Sequence, residues 1–185
     1  MNLALKQAEQ KGRKSILMLA PQPFFANRGT PFNVRAMIEV LSAEGYEVDL
    51  LAYPFGEELE LENLKIERSA SLGISAISIG PSFKKLILDL PFFLKAISLS
   101  LRKKYDVIHG IEEAGFFAAI IAKLQKRPYI FDMDSCMRTQ LSEHKFFGNS
   151  LVLSIFDSIE KWAIKGSTAV LTVCTALSEK AQGIE

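Results

Sequence analysis

The sequence predicts an α/β protein, with a Rossmann-like, doubly wound and mainly parallel sheet that carries helices on both faces. Short apolar segments of strand length alternate along the chain with longer amphipathic segments of helix length. Polar loops that contain glycine or proline separate these segments. The sequence contains no internal repeat. The 185 residues, 49% of them hydrophobic, fit one large domain with a buried core.

The first strand and the first helix lie between Lys14 and Gly45. Ile16–Ala20 is a continuous apolar run, which is typical of a strand buried on both faces. After a loop rich in Pro, Asn and Gly, Thr30 is predicted to cap a helix with Pro31 in its first turn. The apolar stripe of this helix comprises Val34, Met37, Ile38 and Leu41. We expect the open amides of this helix start to suit a phosphate.

The rest of the chain continues the alternation of strand and helix. Further strands are predicted at 46–53, 64–68, 76–79, 106–109, 129–131 and 168–173. Helices are predicted at 81–105, 112–124, 151–165 and 176–182, with Pro91 splitting or kinking the first of these. In the helix at 112–124 we expect Phe116, Phe117, Ile120, Ile121 and Leu124 to pack inward. Residues 54–62 form an acidic loop, and residues 136–150 are irregular and polar.

The segment 83–104 allows two interpretations. Its apolar residues share one side of a helix: Leu86, Ile87, Leu90, Leu94, Ile97 and Leu101. Its single acidic residue is Asp89, and its basic residues are Lys84, Lys85, Lys95, Arg102, Lys103 and Lys104. This composition fits a core helix with a solvated basic face. It also fits an amphipathic helix in peripheral contact with an anionic membrane.

Charge and cysteine content exclude several classes of protein. A net charge of +1 gives no overall attraction to nucleic acid. Cys136 and Cys174 form no CxxC motif and no Cys/His cluster, which argues against zinc and against a disulfide framework. The first 14 residues lack the apolar segment of a signal peptide, and no run approaches the ~18 apolar residues of a membrane span. We therefore expect a cytoplasmic protein, in peripheral contact with the inner membrane face if 83–104 binds lipid.

Polar or small residues follow the predicted strands at the edge where an open parallel sheet binds ligands. These candidate binding residues are Asn27, Arg28, Gly29 and Thr30 after the first strand, His109, Glu112 and Glu113 after the fourth, and Asp132, Asp134, Ser135 and Arg138 after the fifth. Gly29-Thr30 is not part of a GxGxxG motif and no Walker lysine follows, so the sequence supports neither a dinucleotide site nor a P-loop.

Asp132 and Asp134 are the most informative pair of candidates. Their spacing places both carboxylates on one side of a strand. Burial of unpaired carboxylates is costly, so we expect them to line a wet cleft or to pair with a cation such as Arg138.

Four segments together resemble the N-terminal domain of family 4 glycosyltransferases of the two-domain GT-B fold. They are the opening strand with its loop to Gly29-Thr30, RAMIEVLSAEGYEVDLLA, YDVIHGIEEAGFFAAIIAKLQKRPYIFDMD, and EKWAIKGSTAVLTVCTALSEKA from Glu160 to Ala181. The resemblance spans about Ser15 to Gly183, and it depends on the order and spacing of these segments together.

The resemblance implies roles for individual residues, with three departures. The family's paired glycines, which lie against the donor diphosphate and the acceptor, are reduced here to Gly29 followed by Thr30. Where the family tends to have a His-Asp pair near the reacting sugar, this chain has Asp134-Ser135, so Asp134 is the expected substitute. The family's serine after the last strand is replaced by Cys174.

For the whole enzyme the resemblance implies transfer of a sugar from a nucleotide-sugar donor, with retention of anomeric configuration, without a metal and without a cofactor. The acceptor is a glycan, a lipid-linked compound or a small molecule. The donor-binding residues of the family belong to a second Rossmann domain, which we expect beyond Glu185. The chain alone is therefore expected to be inactive.

Two alternatives remain open. Asp132-x-Asp134 also has the outline of the DxD motif that holds Mn²⁺ or Mg²⁺ in another class of glycosyltransferase. The same βα alternation would also suit a flavodoxin-like binding or regulatory module without enzymatic activity.

Overall fold

The structure is a computed structural model that describes residues 12–27, 29–77, 82–142 and 150–184, apart from the side chains of residues 138, 140 and 142. The strands are β1 (Ser15–Ala20), β2 (Glu47–Ala52), β3 (Leu64–Arg68), β4 (Val107–Ile111), β5 (Tyr129–Met133) and β6 (Ala169–Thr172). The helices are α1 (Gly29–Ala43), α2 (Phe83–Arg102), α3 (Ala114–Gln125), α4 (Met137–Ser142), α5 (Ser150–Gly166) and α6 (Thr175–Gln182).

The described strands form one parallel sheet in the order β3-β2-β1-β4-β5-β6. This confirms the predicted Rossmann-like α/β class. The strand order reverses between β1 and β4, which pair in register from Ile16–Val107 to Leu19–Gly110. In such sheets the point of reversal opens a crevice at the carboxyl ends of the strands.

Side chains of β1 alternate between two separate cores, because successive residues of a strand point to opposite faces. Met18 packs with Val34 and Ile38 of α1. Leu17 and Leu19 pack on the other side, in a core completed by α2, α3 and α5. All six residues of β1 are buried, in agreement with its continuous apolar sequence. The helices therefore cover both faces of the sheet, and its carboxyl edge remains for ligands.

The helix α2 differs from the sequence prediction in two respects. It continues through Pro91 as one helix instead of splitting. Its leucine-rich side is turned outward, with Leu86 48% and Leu90 63% exposed, while the opposite side faces the core. The buried residues of α2 are Leu88, Phe92, Ala96, Leu99 and Ser100. Among the described helices, none combines the length and apolar character that crossing a bilayer requires.

Half of the cations predicted to line α2 are engaged in ion pairs. Lys85 pairs with Glu113, Lys95 with Glu67, and Lys103 with Glu47. The helix thus uses part of its basic charge to attach to the strands and to α3. Its outer surface is more apolar and less basic than the sequence indicated.

Smaller corrections concern the ends of elements. The helix α1 begins at Gly29, so Thr30 lies in its first turn and is not the cap. The segment predicted to be irregular contains the short helix α4, and residues 76–77 are not part of a strand. Residues 78–79, the remainder of that predicted strand, lie outside the described residues.

The helix α3 begins two residues later than predicted and presents a different face to the core. Its inward side consists mainly of small residues, namely Ala114, Gly115, Ala118, Ala119 and Ala122 together with Ile121. Phe116 and Phe117 are partly buried against that core, whereas Ile120 and Leu124 are exposed. Small side chains allow α3 to approach the sheet closely: a Cβ at Gly115 would lie 2.2 Å from the Phe131 ring.

Candidate functional site

The loop after β1 is held in place by contacts from the neighbouring strands. Phe24 is buried, and a Cβ at Gly56 would lie 1.8 Å from its carbonyl oxygen, so a larger residue cannot replace Gly56 without moving the loop. The guanidinium of Arg68 donates hydrogen bonds to the carbonyls of Phe24, Tyr53 and Phe55. These contacts fix the path of the loop that leads into α1.

Gly29 begins α1 at the open edge of the sheet. Its φ of +37° lies in the left-handed region that favours glycine. Among the described residues, no atom lies within 4 Å of the position that a Cβ at Gly29 would occupy. Asn27 is exposed beside it, and Arg28 lies outside the described residues. The backbone at the start of α1 is therefore accessible to a ligand.

Two contacts join α1, β4 and β5 at this edge. The Thr30 side chain lies close enough to the Asp134 carboxylate to lower its pKa. In a more buried position, Oδ2 of Asp132 lies 3.5 Å from Nε2 of His109. Asp132 is only 7% exposed and His109 only 3%. Nε2 of His109 makes no hydrogen bond within the described part of the chain. The predicted candidates Thr30, His109, Asp132 and Asp134 are thus brought together.

The carboxylate of Asp134 is half-buried, and its surroundings have opposing effects on its pKa. Burial raises its pKa, and the nearby charge of Asp132 raises it further. The Thr30 side chain acts in the opposite direction and lowers the pKa, because it stabilises the charged form. Asp134 is positioned to accept hydrogen bonds from a ligand at the edge of the sheet.

Glu112 adopts a backbone conformation that is unusual for its residue type. Its φ is +52°, and its N–H donates to the Asp132 carbonyl at 2.8 Å. Its carboxylate accepts a hydrogen bond from the buried Gln22 at 3.3 Å. Burial and then the charge of Glu113 raise the pKa of Glu112. A non-glycine residue in this conformation costs roughly 1 kcal/mol or more of stability. Residues strained in this way are found most often at functional sites.

A second polar group lies on the α2 side of Glu112. Glu113 forms an ion pair with Lys85, and Nζ of Lys85 also lies 4.0 Å from Glu112. Asp89 accepts a hydrogen bond from the Tyr53 hydroxyl at 2.6 Å. Burial, followed by the charge of Glu113, raises the pKa of Asp89 to about 6.

Sequence reasoning missed Gln22, Lys85 and Asp89. Lys85 and Asp89 did carry a signal, since they are spaced i, i+4 and continue at i+7 and i+11 into Phe92 and Ala96, the buried face of α2. A charged pair on the buried face of a helix requires partners. Gln22 carried no comparable signal, because its burial depends on segments distant in the sequence.

The other candidates are placed as follows. Ser135 is half-buried directly after Asp134, and the side chain of Arg138 lies outside the described residues. Glu113 precedes α3 as its N-cap residue but makes no capping hydrogen bond through its side chain. Within the described ranges, no group of three or more His, Cys, Asp or Glu side chains is arranged to hold a metal ion. Cys136 and Cys174 are free thiols.

The order of these elements and the clustering at the switch point agree with a family match. The family model described as Glycosyltransferase Family 4 matches residues 29–183. The chain belongs to Glycosyltransferase Family 4. This membership favours an enzyme's domain over the flavodoxin-like binding module. No curated protein matches the sequence.

Solved structures of GT-B glycosyltransferases share the fold of this family 4 domain. A sucrose-phosphate synthase from Thermosynechococcus elongatus is 16% identical with a TM-score of 0.57, covering 91% of this chain and 80% of that chain. UGT89C1 from Arabidopsis thaliana in complex with UDP is 13% identical with a TM-score of 0.60, covering 91% and 47%. The chain thus spans about half the length of UGT89C1.

Proposed function

We propose that the chain is the N-terminal, acceptor-side domain of a retaining glycosyltransferase that uses a nucleotide-sugar donor and requires no metal. The observation that carries the proposal is the convergence of Thr30, Asp134, Asp132 and His109 at the point where the strand order reverses. Membership of the family supplies the reaction class. The geometry supplies a polar edge at which a sugar can be bound.

The start of α1 is the proposed contact for the donor diphosphate. Gly29 is exposed and leaves open space above its backbone, and the amides of the first turn carry the positive end of the helix dipole. UGT89C1, which shares the fold, has been solved with UDP and with UDP-L-rhamnose. Arg28 and Arg138 are further proposed phosphate or substrate contacts, on the basis of their sequence positions.

Asp134 is the proposed catalytic residue and binds hydroxyls of the reacting sugar. In the reaction the acceptor oxygen forms a bond to the anomeric carbon, and the bond from that carbon to the diphosphate oxygen breaks. The acceptor proton passes to the departing diphosphate, whose charge is stabilised by backbone amides. Asn27, His109, Glu112, Glu113, Asp132 and Ser135 complete the proposed substrate-binding surface.

We propose that turnover requires a second, donor-binding domain, as the coverage of only 47% of UGT89C1 suggests. Closure of two domains excludes water and assembles the site. A chain that supplies one side of the cleft binds substrate weakly and does not turn over. No cofactor is needed beyond the nucleotide-sugar itself.

A panel of nucleotide-sugars and acceptors tests the proposal. The chain alone should show no transfer, whereas the complete protein with a donor-binding domain should transfer a sugar whose anomeric configuration, read by NMR, is retained. EDTA should leave the rate unchanged. Loss of transfer in EDTA with recovery on adding Mn²⁺ would favour the alternative in which Asp132 and Asp134 hold a metal. Inverted product would refute retention.

The outer side of α2 supports peripheral contact of 83–104 with an anionic membrane. Its leucines are exposed, and Lys84 and Arg102 are exposed beside them. The protein should co-sediment with phosphatidylglycerol-containing vesicles at low salt, and Leu94→Asp should reduce this binding. Absence of co-sedimentation with such vesicles would remove the membrane from the proposal.

A further inference from the structure

A cavity of about 240 Å³ lies between α2, α3, α4 and α5. Its volume is that of about eight water molecules, which is room for part of a ligand. The walls are apolar and comprise Leu86, Phe116, Phe117, Met137, Leu141 and Phe156. None of these residues takes part in the sugar site described above. The cavity therefore suits an apolar group better than a sugar ring.

One end of the cavity is polar and acidic. Lys85, Asp89 and Glu113 line it, and Glu112 lies 4.0 Å from the Lys85 ammonium. Three carboxylates thus surround a single cation. A phosphate or carboxylate on a ligand would be repelled there. A cationic group would be placed against Lys85, whereas hydroxyl groups can donate hydrogen bonds to the carboxylates.

Glu112 lies between the polar end of the cavity and the proposed sugar site. On one side Glu112 is close to Lys85, and on the other its charge interacts with that of Asp134. A ligand with its apolar part in the cavity would therefore place its polar end towards Asp134. This is the position that an acceptor hydroxyl must reach.

We propose that this cavity binds the apolar part of the acceptor, and that the acceptor is a neutral amphiphile with a hydrocarbon body and a hydroxyl-bearing head. The inference rests on the proposed function, because it names the class of acceptor. It excludes a fully polar polysaccharide acceptor and a head group that is charged next to the apolar part. Leu86 lines the cavity and also begins the exposed leucines of α2. The entrance to the cavity is therefore next to the surface proposed to contact lipid.

Binding of three probes to the protein, measured by calorimetry below micellar concentrations, tests the inference. Octyl β-glucoside should bind at least ~10-fold more tightly than methyl β-glucoside, because it buries a hydrocarbon chain. Octyl phosphate, which has the same chain and an anionic head, should bind at least ~10-fold more weakly than octyl β-glucoside. If the wild-type protein bound octyl β-glucoside and methyl β-glucoside with equal affinity, that result alone would overturn the inference.

Two matched variants locate the binding. Leu86→Asp should weaken octyl β-glucoside binding by ~10-fold or more, since it places a charge at the wall of the cavity. Leu90→Asp, one turn further along the same exposed side of α2 but outside the cavity, should change it by less than about twofold. Leu86 is 48% and Leu90 63% exposed, so both variants should fold. Equal weakening by the two variants would show binding to the surface of α2 and would overturn the inference.

The binding experiment also separates this inference from the proposed function. Sugar transfer by the complete enzyme with no preference for octyl over methyl acceptors would overturn the acceptor class and leave the transferase intact. Binding of octyl β-glucoside that depends on Leu86, together with no transfer from any nucleotide-sugar, would support the cavity and remove the proposed function.

Discussion

The side chain of Thr30 lies beside the carboxylate of Asp134, so the start of α1 meets the end of β5. These residues are separated by more than half of the chain, and the parallel order of the strands brings them to one edge. Thr30 lowers the pKa of Asp134 and so opposes part of the upward shift caused by burial and by Asp132. The Asp134 carboxylate is thereby placed near the open backbone at Gly29.

We predict that Gly29→Val raises the KM for the nucleotide-sugar by ~10-fold or more, because it fills the open side of the α1 start and disfavours its φ of +37°. Steady-state kinetics of the complete enzyme provide the measurement. Gly45→Val is the matched control, since Gly45 also has a positive φ and open surroundings but lies at the far end of α1. If the two variants had the same KM for the nucleotide-sugar, Gly29 would serve only the backbone conformation and would not contact the donor.

The sequence was sufficient to predict all six strands of the described sheet to within a few residues. Most are short apolar runs bounded by glycine, proline or charged residues, whereas β3, LKIER, alternates apolar and charged residues, so the local pattern defines each strand. The orientation of α2 could not be obtained in the same way. Helical periodicity shows that Leu86, Leu90 and Leu94 share a side, but not whether that side faces the core. The short helix α4 was missed because six polar and mixed residues give no periodic signal.

The candidate site was only partly predictable. Candidates that directly follow strands, such as Thr30 and Asp134, could be located because parallel strands share a carboxyl edge. The conformation of Glu112 could not, since a φ of +52° in a glutamate reflects tertiary contacts rather than propensity. The buried group of Lys85 and Asp89 likewise depends on how α2 packs against β2 and α3.

We predict that Asp89→Asn stabilises the protein above pH 6. Burial raises the pKa of Asp89 to about 6 from 3.8, so the folded protein binds its proton more tightly than the unfolded chain. The charged form therefore costs stability above pH 6, by about 3 kcal/mol, and this cost falls steeply as the pH falls towards 4. Urea unfolding at pH 4.5 and pH 7.5 should show a clearly larger advantage of the variant at the higher pH.

Asp106 provides a control, because its substitution should have the opposite effect on stability. A hydrogen bond from the Ser15 N–H, at 2.8 Å, lowers the pKa of Asp106. Its charged form stabilises the fold, and that contribution is lost as the pH falls through its folded pKa. Asp106→Asn should therefore reduce the free energy of unfolding at pH 7.5. A stability difference for Asp89→Asn that did not depend on pH would contradict the buried position of Asp89.

We predict that Cys136 reacts with iodoacetamide at a lower pH than an isolated thiol does. Although burial opposes it, the hydrogen bond donated by Lys180, at 2.8 Å, lowers the pKa of the Cys136 thiol. Lys180→Met should shift the alkylation profile to higher pH, and Lys180→Arg should largely preserve it. Lys161→Met removes a lysine of α5 that pairs with Asp157 instead, so it should have no effect. An unchanged profile in Lys180→Met would contradict this contact.

The role of Asp134 in sugar transfer is the central claim, and the turnover number of Asp134→Ala in the complete enzyme tests it most directly. We predict a loss of at least ~100-fold, because the variant removes the carboxylate that follows β5 beside the start of α1. Asp106→Ala removes a carboxylate beside the amino end of β4, at the opposite edge of the sheet, and should leave turnover within about twofold. A turnover number for Asp134→Ala close to that of the wild type would contradict the account.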